Sequence, residues 1–319
     1  MKGLPVPHPG RKHTGVTGWR VHKHQTIEVP MSTPESPAAA PAAAAAPTRA
    51  ARTARPQIVL EVLERVQLSR HLVRIVAGGP GVAQIEPNGK TDAYSKMLFT
   101  QPDTPLKPPY DLDALREELS PEQMPSTRTY SIRRFDLDAG EIWIDFVTHG
   151  EAGVAGPWAD RAQPGDAVVL RGIGGGYAPD PTADWHLLAG DEAAIPAIAA
   201  ALEAMPRDAV GTALIEVGGP EDELSLDAPT GINVTWLHRG DAEAGTSTVL
   251  VDAVRAATWL PGRVQVFVHG ERGAMKALRP YFTDERGLDR AQLSLSPYWA
   301  YGRREDAFQA EKREPIGQV

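Results

Sequence analysis

The sequence predicts two folded domains, a β-barrel followed by an α/β domain with a parallel sheet. Six short strand-like runs with few helical stretches lie between residues 58 and 170, a pattern typical of barrels. After Pro181, strand-like and helical runs alternate, and this alternation predicts a parallel sheet that binds ligands at the carboxyl ends of its strands. We therefore assign residues 55–180 to the barrel and residues 181–319 to the α/β domain.

Residues 1–54 are expected to form a disordered tail. From Met31 to Pro56 this segment is mostly Ala, Pro, Thr and Arg. Its prolines interrupt any continuous helix, and it has no large apolar side chains to bury.

The barrel prediction rests on runs of apolar and β-branched residues separated by turn residues. Pro164-Gly165-Asp166 is such a turn, before the last run. The six runs are Ile58–Val66, His71–Val76, Tyr94–Phe99, Thr129–Phe135, Glu141–Thr148 and Ala167–Leu170.

The α/β domain is predicted to begin with a buried strand and an Ala-rich helix, after which strands and amphipathic helices follow one another. The predicted strands are Trp185–Ala189, Leu214–Val217, Val234–Leu237 and Val264–His269. The predicted helices are Ala193–Ala204, Thr248–Ala257 and Ala274–Glu285.

Composition excludes several classes of function. The 319-residue chain has a net charge of −8, whereas nucleic-acid binders present a basic surface. It has no cysteine, which excludes disulfides, thiolate zinc sites and cysteine-ligated iron–sulfur clusters. Any redox chemistry therefore needs an organic cofactor. No apolar stretch approaches the roughly 18 to 20 residues that span a bilayer, and Met1–Pro30 lacks the apolar core of a secretory signal, so we expect a cytoplasmic protein.

The strongest local motif is Arg128-Thr129-Tyr130-Ser131-Ile132-Arg133. On a strand, Arg128 and Tyr130 point one way while Ser131 and Arg133 point the other. A flavin lying along the strand needs a cation for its pyrophosphate, an aromatic ring and a small hydroxyl, and this stretch supplies all three. The alternative is a solvated strand that carries several arginines.

Two glycine-rich stretches occur near the end of the barrel. His149-Gly150, followed by Gly153–Ala159, leads from a strand into a short helix, and its free backbone N–H groups suit an anion; a plain helix cap is the alternative. Gly172–Tyr177 superficially suggests a dinucleotide fingerprint, but Pro179 and Pro181 follow and no helix begins there. We interpret it as a loop near a cofactor, with Tyr177 able to stack on a ring.

Three further motifs lie in the α/β domain. Gly190-Asp191-Glu192 forms a turn between a strand and a helix, where the acids also suit ordinary helix capping. His269-Gly270-Glu271 ends a strand, and the Tyr298–Gly302 segment is rich in aromatic residues. A strand-end histidine and an aromatic cluster are both explained as well by packing as by catalysis.

Taken in order, these motifs resemble the siderophore-interacting protein family of flavin reductases, relatives of the ferredoxin reductases. The family pattern runs Arg-x-Tyr-Ser/Thr-x-Arg, His-Gly, Gly-Pro-Ala…Trp-Ala, Gly-Asp-Glu-Thr-Ala-x-Pro-Ala, Gly-Glu and Tyr-Trp-x-x-Gly. The resemblance spans about Gln57 to Asp306, in the same order. It departs from the pattern at Val154, where Pro is usual, at Ala193, where Thr is usual, and at Ala300, where a basic residue is frequent.

The resemblance implies a ferredoxin-reductase-like protein with an antiparallel FAD-binding barrel and an NAD(P)H-binding domain. It also implies a reductase that passes electrons from NADPH or NADH through FAD to a ferric siderophore, with no protein ligand to the iron. Lys96 matches a lysine of the family's siderophore pocket, and Arg303 or Arg304 is expected to replace the basic residue missing at Ala300. The residues expected at the cofactors are Arg128, Tyr130, Ser131, Arg133, His149, Gly150, Gly153, Ala155, Gly156, Trp158, Tyr177, Gly190, Asp191, Glu192, Gly270, Glu271 and Trp299.

Two other functions stay open. The first is a flavin reductase with a different electron acceptor, and the second is a non-catalytic siderophore-binding module. We expect a monomer without nucleic-acid partners.

Overall fold

The computed structural model describes residues 56–150 and 153–319, and the predicted tail, residues 1–54, lies outside them. The described residues from Pro56 onward belong to one compact unit. Within the two described ranges, no helix combines the length and the apolar character that crossing a membrane requires.

The first part of this unit is a closed barrel of six antiparallel strands, as predicted. The strand order around the barrel is β1-β2-β5-β4-β3-β6, so that β1 and β6 close the ring. Apolar side chains alternate inward and form one core. The strands are β1 (Ile58–Ser69), β2 (Leu72–Gly78), β3 (Tyr94–Phe99), β4 (Ser126–Asp136), β5 (Glu141–Val147) and β6 (Ala167–Gly174). Its helices are α1 (Leu112–Glu118), α2 (Ala155–Arg161) and the 3-10 turn Pro80–Gln84.

The second part is a parallel sheet of five strands in the order β11-β10-β7-β8-β9. Its central strands are buried on both faces and carry mainly apolar residues, as parallel strands covered by helices require. The strands are β7 (Trp185–Gly190), β8 (Val210–Val217), β9 (Gly231–His238), β10 (Val264–Glu271) and β11 (Leu293–Trp299). The helices are α3 (Ile195–Ala204), α4 (Val249–Ala256), α5 (Arg272–Pro280) and α6 (Glu305–Glu311), with 3-10 turns Glu192–Ala194, Pro220–Asp222 and Pro315–Gly317 and a π-helical turn Tyr281–Glu285.

Two sets of polar contacts help to hold the barrel against the sheet domain. The Asp222 carboxylate accepts hydrogen bonds from the Ser69 hydroxyl and from the backbone N–H of His71, both in the β1–β2 turn. It also lies 2.8 Å from Nδ1 of His71. Arg133 of β4 forms a two-pronged ion pair with Glu203 of α3. Both contacts join distant parts of the chain, so they fix how the sheet domain packs against the barrel.

The fold class and the predicted strands are confirmed, but three elements were not predicted. Strand β11 was treated only as an aromatic segment, and helices α1 and α6 were missed. Gly172–Tyr177 is not the start of a helix, as expected when a dinucleotide fingerprint was rejected there: β6 ends at Gly174, and no helix follows it before β7.

Candidate functional site

Strand β4 presents two sets of side chains. Arg128 pairs in register with Met97 of β3, and Tyr130 pairs with Ser95; Ser95 and Met97 are buried. Thr129 and Ser131 point to the other face of the two strands. Their cross-strand partners on β3 are Lys96 and Tyr94, respectively. The predicted alternation along this motif is therefore present, and β3 and β4 together form a two-stranded outer face.

Arg128 is a nearly buried cation. Its side chain is 15% exposed and lies 3.3 Å from the Asp306 carboxylate of α6, while Nη1 donates to the carbonyl of Thr127 at 2.7 Å. The guanidinium has five N–H donors, so these two contacts leave donors for a further anion.

Tyr130 lies at the aromatic end of the barrel core. Its ring centroid is 4.3 Å from that of Phe146 and 6.4 Å from that of Phe99, and Trp158 of α2 contacts both phenylalanines. Burial raises the pKa of the Tyr130 hydroxyl, so that it stays a neutral hydrogen-bonding group.

A cavity of about 260 Å³ lies beside α2, adjoining this aromatic cluster. Its lining includes Gly153, Val154 and Trp158, together with Thr100 and Gln101 beyond the end of β3. The predicted residues Ala155 and Gly156 lie in the first turn of α2, and Ala155 is buried. His149 and Gly150 are exposed at the end of β5.

A row of aromatic rings runs from the sheet to Ser131. Tyr177 packs on Phe267 at 4.7 Å, Phe267 stacks on His269 at 3.9 Å, and His269 contacts Tyr298 edge-on at 4.9 Å. Tyr298 interacts with the side chain of Ser131. Tyr177 is 4% exposed and belongs to this packed row, so the expectation that it is available to stack on a cofactor does not match its position.

His269 is held neutral by its surroundings. It is 3% exposed, Nε2 lies 2.9 Å from the Ser294 hydroxyl, and Nδ1 has no partner among the described residues. Burial lowers the pKa of the imidazole to about 3, because a charged ring would lose its hydration without gaining an ion pair.

Replacing His269 with phenylalanine is expected to weaken the dependence of stability on acid pH. The unfolded imidazole takes up a proton below its ordinary pKa of 6.5, whereas the folded one resists it down to about 3. Between these values stability therefore falls as pH falls. From pH 7.5 to 5.5, the wild type should lose about 1.4 kcal/mol more than His269→Phe. Urea unfolding at the two pH values measures the difference, and equal losses would contradict a neutral buried His269.

Asp191 joins three strands at the carboxyl edge of the sheet. Its buried carboxylate follows β7 and accepts hydrogen bonds from Ala193 N, from Glu271 N on β10 and from Trp299 Nε1 on β11, at 2.8 to 3.0 Å. Burial, followed by repulsion from Glu192, raises the pKa of Asp191 to about 7, while the three N–H donors oppose that rise. Asp191 and Trp299 thus shape this edge through their contact with each other.

The glycines next to Asp191 make this close approach possible. Gly270 has φ 152°, and a Cβ there would lie 2.6 Å from the Asp191 carboxylate. A Cβ at Gly190 would lie 2.6 Å from the carbonyl oxygen of His269. Glu271 begins α5, accepting from the backbone N–H groups of Gly273 and Ala274 and, through its other oxygen, from Tyr301 N.

A cavity of about 280 Å³ opens at this carboxyl edge. It is lined by Asp191, Glu192, Glu216, Glu271 and Trp299, among others, and by the loop of residues 244–248. Glu192 is paired with Arg239, which follows β9, and burial raises the pKa of Glu216 to about 7. The structure thus brings four predicted residues of the α/β domain together around one concave surface, where parallel sheets bind ligands: Asp191, Glu192, Glu271 and Trp299.

The three predicted substrate-binding residues differ in their surroundings. Lys96 is exposed on the outer face formed by β3 and β4. Arg303 is engaged with Glu311, its Nε donating at 2.7 Å, and Arg304 is exposed at the start of α6. Arg133, which the resemblance assigns to the cofactor, has its guanidinium bound to the Glu203 carboxylate of α3.

Asp306, Arg239 and Tyr298 could not be selected individually from the sequence. Asp306 contacts Arg128 and Arg239 contacts Glu192, each across a long stretch of chain. Tyr298 belonged to a predicted aromatic motif, but its contact with Ser131 follows from β11, which was not predicted.

The groups around β4 fit a dinucleotide flavin. Arg128 offers guanidinium donors to a pyrophosphate, Tyr130 an aromatic ring and Ser131 a small hydroxyl, and the cavity beside α2 has backbone of Gly153 and Val154 in its lining. Charge-assisted contacts from arginine and main-chain N–H groups are how proteins bind phosphates. These residues could therefore hold FAD.

Comparisons with known proteins agree with this description. A family model described as the siderophore-interacting FAD-binding domain matches residues 61–177, and one described as siderophore-interacting protein matches residues 183–302. An uncharacterised protein of Mycobacterium tuberculosis is 48% identical over 82% of this chain and 96% of its own length. The ferric vibriobactin reductase ViuB of Vibrio cholerae is 33% identical, covering 80% and 93%. The crystal structure of a siderophore utilization protein from T. fusca superposes with a TM-score of 0.68 at 34% identity, covering 78% of this chain and 94% of that one.

Proposed function

The chain belongs to the siderophore-interacting protein family, and from that premise we propose that it reduces ferric siderophores with electrons from NADPH or NADH by way of bound FAD. A relative of similar length is named a ferric vibriobactin reductase, which supports the reductase role. The finer assignment depends on where this chain places its cationic and hydroxyl groups.

The observation that carries the proposal is the outer face of β3 and β4. Lys96 and Ser131 point to the same side of these paired strands, because Lys96 is opposite Thr129 and Ser131 is opposite Tyr94. A flavin beside Ser131 and an anionic chelate beside Lys96 would then be neighbours. The protein supplies alignment and charge, while iron stays bound to its chelator.

Each part of the site has a distinct task in this proposal. Arg128 and the backbone around Gly153 to Gly156 would bind the FAD pyrophosphate, Tyr130 would contact the ring system or ribityl chain, and Ser131 would lie beside the reacting edge. The cavity at the carboxyl edge of the sheet, behind Trp299 and Glu271, would bind the nicotinamide cofactor.

Bound FAD would supply the step that the side chains cannot, converting one hydride into two single electrons. The overall reaction balances as one NAD(P)H and two ferric chelates giving NAD(P)⁺, one proton and two ferrous chelates. The aromatic row from Tyr177 to Tyr298 would limit access of water to the side of Ser131.

An absorbance spectrum tests the proposal most directly. The purified protein should show a flavin spectrum near one FAD per chain, bleach when NADPH or NADH is added without oxygen, and recover when a ferric chelate follows. Recovery with oxygen or quinones but with no ferric chelate would favour a flavin reductase with another acceptor. A colourless protein that binds ferric chelates would indicate a non-catalytic module.

Replacing Lys96 with alanine is expected to slow the iron half-reaction selectively. A cation beside an anionic chelate contributes about 1 kcal/mol at a solvated site, so kcat/KM for an anionic ferric siderophore should fall about fivefold. Reduction of the flavin by NAD(P)H should be nearly unchanged. Stopped-flow of the two half-reactions separates the effects; if both slow together, Lys96 acts on flavin binding instead.

A further inference from the structure

We propose that the electron donor of this protein is NADH and that Glu216, at the carboxyl end of β8, rejects NADPH by repelling its 2′-phosphate. The inference rests on the proposed function and names the donor of its first half-reaction. It is carried by the direction in which a dinucleotide must lie across the sheet and by the charges along that path.

The contact between sheet and barrel sets the direction of the dinucleotide. Tyr298 of β11 interacts with the side chain of Ser131, beside which the flavin is proposed to react, so the nicotinamide must lie toward β11. The sheet runs from β7 to β8 and β9 on one side and to β10 and β11 on the other, and ligands cross such a switch point at the carboxyl edge. From β11 to β8 is three strand spacings, about 14 Å, so the adenosine half of an extended dinucleotide comes to the end of β8.

Glu216 faces this path. Leu214, two positions earlier on β8, packs in the core formed with α4 and α5, and side chains two apart on a strand share a face. The cavity of about 280 Å³ lies on that face, since residues from the first turns of both helices line it together with Glu216. Glu216 is 6% exposed, and its carboxyl group accepts a hydrogen bond from the backbone N–H of Leu250.

The lining of the cavity is acidic. Among the residues that the structure describes there, five carry carboxyl groups and none is lysine, arginine or histidine. The five are Asp191, Glu192, Glu216, Asp252 and Glu271. Asp191 and Glu271 are engaged with N–H groups of the protein. A carboxylate accepts about four hydrogen bonds, so Glu216, with one backbone donor, keeps acceptor capacity for the hydroxyls of a ribose.

Arg239 is the cation that acts on Glu216, and it is already paired. Burial raises the pKa of Glu216 to about 7, and the charge of Arg239 opposes that rise. The guanidinium is 10% exposed and lies 2.5 Å from the Glu192 carboxylate, which is 7% exposed. Two buried carboxyl groups therefore share one guanidinium. A 2′-phosphate would have to displace Glu192 before it could use Arg239.

The two donors differ only at the 2′ position of the adenosine ribose. NADH has a hydroxyl there, which can donate to the Glu216 carboxylate, as the ribose of NAD does to an acidic residue in many dinucleotide-binding domains. NADPH has a phosphate, which adds about two negative charges. Beside a buried carboxylate this charge is poorly screened, so the cavity should accept the hydroxyl and reject the phosphate.

Wild-type protein provides the first test. FAD-loaded full-length protein is mixed anaerobically with NADH or NADPH at pH 8, above the pKa of Glu216, and bleaching of the flavin is followed by stopped flow. The second-order rate constant for NADH should exceed that for NADPH about 30-fold or more. Isothermal titration calorimetry of the oxidised protein with NAD⁺ and NADP⁺ gives a readout without electron transfer, and NAD⁺ should bind more tightly by a similar factor.

Matched variants connect the preference to Glu216. Glu216→Gln removes the charge and keeps the shape, so NADPH should react about tenfold faster and NADH no more than about threefold slower. Glu192→Gln frees Arg239 and should likewise favour NADPH, which keeps the test available if Glu216→Gln loses flavin or has a much lower Tm. Glu285→Gln is the control, since Glu285 is 51% exposed and pairs with Arg255; the ratio of the two rate constants should not change.

The outcomes separate the inference from the proposed function. If wild type reacts with NADPH as fast as with NADH, the inference is refuted and the reductase stands. If wild type prefers NADH but Glu216→Gln, with full flavin content and unchanged Tm, keeps the same ratio, the role of Glu216 is refuted. If the FAD-loaded wild type is reduced by neither donor, the proposed function itself is refuted.

Discussion

Replacing Arg128 with alanine is expected to weaken FAD binding about 10- to 100-fold, because a charge-assisted hydrogen bond contributes about 1.5–3 kcal/mol. The guanidinium is nearly buried beside the predicted flavin strand, so little solvent screening reduces this contact. The Kd for FAD, measured by quenching of flavin fluorescence in refolded or flavin-stripped protein, checks the prediction.

Two companion variants make the result specific. Arg134→Ala removes a neighbouring arginine that pairs with Asp136 and whose side chain is 49% exposed, so FAD binding should stay at the wild-type level. Asp306→Asn removes the carboxylate that pairs with Arg128 and should tighten FAD binding, because that carboxylate would compete with the pyrophosphate for the same cation. If Arg128→Ala keeps full flavin content, the proposed pyrophosphate contact is wrong.

Replacing Asp191 with alanine is expected to cost about 3 kcal/mol of folding stability. The change leaves three N–H donors without an acceptor at the junction of β7, β10 and β11, and each unsatisfied buried donor costs about 1–3 kcal/mol. The raised pKa of Asp191 indicates that burying its charge is itself unfavourable, so the net loss should lie at the lower end of the sum. Urea unfolding followed by circular dichroism measures it.

Controls for this variant come from the same domain. Trp299→Phe removes one of the three donors and keeps an aromatic ring, so it should cost only about 1 kcal/mol. Asp208→Ala, at an exposed position before β8, should change stability by less than about 0.5 kcal/mol. An Asp191→Ala protein as stable as Asp208→Ala would show that the carboxylate does not hold the three strands together.

The barrel and most of the sheet were predictable because their strands are short runs of buried apolar residues separated by turn residues. Strand β11 was not, for a physical reason: Leu293–Trp299 alternates with serine, contains Pro297 and is only half-buried. It lies at the edge of the sheet, where proline is tolerated. Helix α6 has seven residues, and its contacts with distant β4 hold it in place, which no local pattern reveals.

The candidate site was predictable only where one motif supplies several groups. Arg128, Tyr130 and Ser131 lie on one strand, so the alternation of side chains along it could be worked out in advance. The partners of charged residues could not be predicted this way. Arg128 and Asp306 are 178 positions apart, and the choice of Arg303 as a free cation was undermined by its pairing with Glu311.

The closure of the barrel has a consequence for biosynthesis. Strands β1 and β3 complete their hydrogen bonding only with β6. Because β6 is the last barrel strand to leave the ribosome, β1 and β3 each expose an unpaired edge until it arrives. Such non-local pairing folds slowly and risks association with other chains. The sheet starts from β7, its central strand, and can extend outward to β8 and β9 and then to β10 and β11 as each emerges. During translation, the barrel therefore stays incompletely paired until its last strand emerges, whereas the sheet can add each strand as it is made.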